Sequence, residues 1–89
     1  MKKIILKKPG MKLLKLSLEE ERGIIKKIAI KGDFFIYSEE SIEKIEEFLV
    51  GKKISENLAT QLNDFFKKNK IECVGISAEV IAEGILSAK

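Results

Sequence analysis

The chain has 89 residues, enough for one domain with one core. Its 45% hydrophobic content argues against extended disorder, and its 35% charged content with a single Pro describes a well-solvated globular protein. With one Cys and no His, an internal disulfide, a Cys–His nucleophile and a zinc site built on Cys and His are all excluded. Charge is unevenly spread. Residues 1–31 carry nine Lys and Arg22 against Glu19, Glu20 and Glu21, a net +7, whereas residues 32–89 carry seven Lys against eleven acids, a net −4. A basic N-terminal face suits nucleic acid or an acidic protein, or it is simply the solvated side of strands rich in Lys. The opening Met1-Lys2-Lys3-Ile4-Ile5-Leu6 ends at once in Lys7-Lys8-Pro9, too short for a signal-peptide core. No apolar run approaches the roughly 20 residues of a membrane span, so a cytoplasmic protein is expected.

In chain order, Lys3 to Lys7 has strand composition and Pro9-Gly10 marks a turn. Met11 to Leu18 alternates, with Leu14, Leu16 and Leu18 on the face shared with Lys12, and Met11, Leu13, Lys15 and Ser17 on the other. Glu19 to Gly23 suits a hairpin loop. Ile24 to Lys31 is the clearest strand. Strict alternation puts Ile24, Ile28 and Ile30 with Lys26 on one side, and Ile25 and Ala29 with Lys27 and Lys31 on the other. Gly32-Asp33 then breaks the strand. Gly tolerates positive φ, and an Asp side chain can bond nearby backbone N–H groups.

Phe34 and Phe35 follow, opening a short strand to Tyr37. Neighbours in an extended chain point to opposite sides, so one Phe enters the core and the other faces out. An outward Phe on a small domain marks a partner surface, and Gly32, Asp33, Phe34 and Phe35 are the candidate interface residues. The competing reading makes them internal scaffold, with the second Phe packed under the next helix.

Ser38 is placed to cap that helix, with Glu39 and Glu40 in its first turn. Ile42, Ile45, Phe48 and Leu49 recur at helical spacing, and Gly51 closes the helix. Ser55 is expected to open a second helix, whose inner face is Leu58, Leu62, Phe65 and Phe66 and whose exit is Asn69 in a left-handed conformation. Ile71 to Ile76 is a short apolar link, either strand or loop, in which Cys73 reads as a small buried residue. Ser77 caps a last helix with Val80, Ile81, Ile85 and Leu86 inward, where Gly84 permits close packing. Strands first and helices after give an α+β fold: a small antiparallel sheet in the N-terminal half packed against helices from the C-terminal half, in one domain over residues 1–89.

Catalytic chemistry finds little support. Gly32, Gly51 and Gly75 are isolated and open no phosphate loop. Glu39, Glu40, Glu43, Glu46 and Glu47 have the spacing of a solvated helix face rather than of an acid–base pair. The sequence presents no catalytic, cofactor-binding or metal-ligating residue. Nucleic-acid binding is also disfavoured, because the aromatics are not interleaved with the Lys residues as stacking platforms and Arg appears once.

From about Met11 to Leu86 the chain resembles the accessory, C-terminal type of domain of lipoate–protein ligases. The likeness is carried by Gly10-Met11-Lys12-Leu13, by Gly23-Ile24-Ile25, and by Ile28-Ala29-Ile30-Lys31-Gly32-Asp33-Phe34-Phe35. It continues in Ile42-x-x-Ile45-x-x-Phe48-Leu49-x-Gly51 and in Val74-Gly75-Ile76 before the last helix. The resemblance implies a small subunit that docks on a large catalytic subunit and is needed for ATP-dependent activation of lipoate to lipoyl-adenylate. ATP, magnesium and lipoate are then expected in the large subunit, with no cofactor bound by this chain alone and lipoyl acceptor domains as indirect partners. No catalytic residue is carried over. Two other classes remain open: a nucleic-acid-binding accessory module using the Lys face of residues 2–31, and a small regulatory domain for an unrelated enzyme.

Overall fold

Alternating apolar residues in the N-terminal third build a three-stranded antiparallel sheet from β1 (Lys2–Leu6), β2 (Leu14–Glu21) and β3 (Ile24–Gly32), in the order β1-β2-β3. The computed structural model describes residues 1–37 and 40–88. The expected cap at Ser38 and the first-turn Glu39 lie outside the described residues. A second sheet pairs two short strands, β4 (Phe35–Ile36) and β5 (Cys73–Val74), which resolves the apolar link after Ile71 as partly strand. Among the described residues the helices are α1 (Glu40–Leu49), α2 (Leu58–Lys68) and α3 (Ala78–Ser87). This is the α+β arrangement expected from the order of patterns.

One face of the large sheet is apolar. Ile4 opposes Leu16, Leu6 opposes Leu14, Leu16 opposes Ile30 and Leu18 opposes Ile28. Leu14, Leu16 and Leu18 are fully buried, and so are Ile81 and Ile85 of α3, which packs across β1 and β2. Gly84 makes that approach close, since a Cβ there would lie 2.8 Å from Leu16 Cδ1. The helix starts as expected, with Ser77 Oγ accepting from the Val80 N–H at 3.3 Å. α1 packs beside β3, and Glu46 accepts a hydrogen bond from the Ile30 N–H at 2.8 Å, so one of the expected solvated carboxylates instead covers a donor on the sheet edge.

Four expectations are corrected. Glu19 to Glu21 belong to β2 rather than to a loop. The turn is Arg22-Gly23 alone, both at positive φ (54° and 77°), as a two-residue hairpin turn requires. In β3, Glu19 opposes Lys27 and Glu20 opposes Ile25, which leaves Lys26 as an extra, bulged residue. The bulge resets the alternation, so Ile25 joins Ile28 and Ile30 in the core at 0% exposure while Ile24 is only partly buried. The second helix starts at Leu58, not Ser55, whose carbonyl accepts the Leu58 N–H in a preceding turn. At its exit, Lys70 takes the left-handed conformation (φ 53°) and Asn69 does not, because the Asn69 side chain bonds back to the Phe65 carbonyl.

Candidate partner-docking site

The two-stranded sheet owes its position to a pair of glycines. Gly32 ends β3 with φ 158°, and a Cβ there would meet the Leu13 carbonyl and lie 2.9 Å from the Phe34 ring. Gly75 follows β5 with φ 97°. Its would-be Cβ meets the Lys12 side chain and lies 3.5 Å from Phe34 Cβ. Phe34 is therefore seated between two backbone segments that only glycine lets approach so closely. The segments are tied by backbone bonds from the Asp33 N–H to the Leu13 carbonyl and from the Lys12 N–H to the Gly75 carbonyl. Asp33 contributes through its main chain.

With Phe34 turned in against the core, Phe35 turns out and is 59% exposed. It opposes Val74 across the β4–β5 pair, and its ring meets Tyr37 edge-to-face at 5.2 Å. Val74 and Tyr37 are 57% and 55% exposed. These three side chains form an exposed apolar patch on the pair of two-residue strands and the residue that follows β4. Beside it opens a groove of about 750 Å³ whose lining mixes apolar residues, among them Tyr37, Val74, Phe66 and Ile71, with charged ones such as Lys67 and Glu72.

Of the four residues singled out in the sequence, Gly32 and Phe34 shape the support, Asp33 fixes the backbone, and Phe35 presents the surface. Tyr37 and Val74 were missed. Tyr37 sits on the alternation that carries Phe35, two residues on, and this could have flagged it. Val74 joins from 39 residues away, a pairing that local patterning does not report. Cys73 is half-buried rather than buried, and burial raises its thiol pKa above the ordinary value, which makes it a poor nucleophile at neutral pH. Among the described residues no cluster of His, Cys, Asp and Glu could hold a metal ion, and no helix is long and apolar enough to cross a membrane.

Residues 13–85 match the sequence family described as the bacterial lipoate protein ligase C-terminus. The chain belongs to this family. A curated relative, the lipoate-protein ligase A subunit 2 of Thermoplasma acidophilum, is 36% identical over 59 residues, which is 66% of this chain and 62% of the relative. The match thus spans less than two thirds of that relative's length. A chain from the structure of a bipartite lipoate protein ligase and its E2 lipoyl domain, also from T. acidophilum, superposes with a TM-score of 0.81 at 28% identity, over 96% of this chain and 93% of that one. In this ligase C-terminal domain, the matched span of residues 13–85 takes in β2, β3, both short strands and most of α3, and so includes the whole Phe35 patch.

Proposed function

We propose that this chain is the accessory subunit of a bipartite lipoate–protein ligase. It docks on a large catalytic subunit and is required for ATP-dependent activation of lipoate to lipoyl-adenylate. One observation carries the reading: nearly the whole length of the chain superposes on nearly the whole length of a chain from a bipartite ligase. The Phe35, Tyr37 and Val74 patch is the surface that supports docking best, because exposed aromatics on a fixed backbone bury large apolar area at little cost in side-chain freedom. ATP, magnesium and lipoate then belong to the large subunit, which carries the chemistry in the cytoplasm. The small subunit acts by position, ordering the partner's loops over the reactants, excluding water and holding near-attack geometry.

Reconstitution tests this. The pure chain with ATP, magnesium and lipoate should release only background pyrophosphate. Adding a matching large subunit should give lipoyl-adenylate at rates the large subunit does not reach alone. Transfer of lipoyl from preformed lipoyl-adenylate to an acceptor domain should depend on the chain much less. Equal dependence of both half-reactions, or turnover by the pure chain, contradicts the assignment.

A further inference from the structure

The face of the large sheet that points away from the helices has a distinct composition. Its rows, read across the strands, are Ile5–Lys15–Lys31 and Lys3–Ser17–Ala29, followed by Glu19–Lys27. Lys15 and Lys31 stand directly opposite one another, an arrangement of like charges that weakens a strand pair. The side-chain ion pairs among the described residues are Lys2 with Glu20 and Lys8 with Glu83, so among those residues Lys3, Lys15 and Lys31 pair with no carboxylate. Between them lies a hollow of about 240 Å³ floored by Ser17 and Ala29, and Ile5 beside it is 69% exposed. Helix packing falls on the opposite face, through Leu14, Leu16 and Gly84.

We propose that this sheet face is a second docking surface, and that its occupant is an acidic protein surface whose carboxylates seat among Lys3, Lys15 and Lys31. Charge complementarity carries the assignment. Three lysines that pair with no carboxylate among the described residues line a small hollow, and two of them stand directly opposite across a strand pair, a like-charge juxtaposition that an anionic partner relieves. The hollow's short side chains and the exposed Ile5 suit the methylene stems and apolar neighbours of Asp and Glu on a protein. A nucleic acid fits less well, because this face has no aromatic ring for base stacking and no Arg for bidentate contacts. The surface shares no residue with the Phe35 patch and its groove, so it stands independently of the ligase reading.

Amide-resolved NMR titration of the full chain with poly-L-glutamate, and in parallel with polythymidylate of equal charge, tests the proposal. Polyglutamate should bind saturably and shift amides of residues 3–5, 15–17 and 29–31. The double variant Lys15→Gln, Lys31→Gln should bind about fivefold more weakly, as expected for two partly exposed ion pairs. The control Lys67→Gln, Lys68→Gln should change binding less than about twofold. Without ligand, the Lys15→Gln, Lys31→Gln protein should melt above the parent, since it no longer opposes two positive charges. The proposal is overturned if binding does not saturate, if shifts and losses are equal at Lys67 and Lys68, if polythymidylate binds as tightly, or if the double variant melts no higher. None of these outcomes bears on lipoyl-adenylate formation, which reports the first surface.

Discussion

Truncating Phe34 and Phe35 separately should divide stability from docking. Phe35 is 59% exposed, so Phe35→Ala gives up only about two fifths of the burial of a phenyl ring, and full burial is worth about 1.5–3 kcal/mol. The expected loss is about 1 kcal/mol, part of it the edge-to-face contact with Tyr37. For a chain of this size that lowers the melting temperature by roughly 4–8 °C. Phe34 is packed against the core between Gly32 and Gly75, and its removal leaves a cavity that those two backbones cannot close. Scaled from about 3–5 kcal/mol for a fully buried ring, Phe34→Ala should cost about 2–3 kcal/mol. Docking should show the reverse order. An aromatic anchor at an interface contributes at least about 2 kcal/mol, so Phe35→Ala should raise the Kd for a matching large subunit about 30-fold. Thermal melts by circular dichroism and calorimetric titration of the still-folded variants give both numbers. The reasoning fails if Phe35→Ala destabilises as much as Phe34→Ala, or if its Kd stays within about twofold of the parent.

Three further outcomes are expected. Gly32→Ala should lose about 2–3 kcal/mol in urea unfolding, because its methyl would press on the Leu13 carbonyl and the Phe34 ring at a φ that L-residues avoid. Ile25→Ala should cost about 2–5 kcal/mol and Ile24→Ala distinctly less; the opposite order would mean that Lys26 is not bulged. Cys73 should react with iodoacetamide more slowly in the folded than in the unfolded chain at pH 7, with the gap closing as pH rises through the raised folded pKa, and equal rates at pH 7 would contradict its burial. By the same linkage, the stability contributed by the protonated Cys73 thiol is complete below its ordinary pKa and is lost as pH climbs through the higher folded value.

Elements whose hydrophobic period repeats several times were legible in the sequence. Leu14, Leu16 and Leu18 alternate over three periods, and Leu58, Leu62 and Phe66 recur over three helical turns; all are buried as the pattern requires. What escaped was set by single residues. One inserted residue, Lys26, reverses the faces of everything before it in β3, and composition gives no sign of it, because Ile24 and Ile25 are equally apolar. At the candidate site, the sequence indicated that Phe34 and Phe35 part ways but not which one turns in. That choice is made by Gly75 and Leu13, which reach Gly32 and Phe34 only through the tertiary fold.

The size of the Phe35 patch constrains how the proposed large subunit would meet it. A stable interface covers about 800 Å² on each partner. Phe and Tyr bury about 150–250 Å² each when wholly covered, so two rings already two fifths covered, together with Val74, supply well under half of that area. The rest has to come from neighbouring surface. The groove is continuous with the patch, since Tyr37 and Val74 line both, and it adds Phe66 and Ile71 at its floor. A flat partner surface would touch the rings and bridge the groove, leaving it filled with water. A convex segment that lays an apolar side chain between Tyr37 and Ile71 would cover both, while the exposed Lys67 and Lys70 keep their hydrated ammonium groups in water. The patch and the groove therefore offer the proposed partner one continuous surface, and the pairing of Phe35 with Val74 brings β4 and β5 together within it.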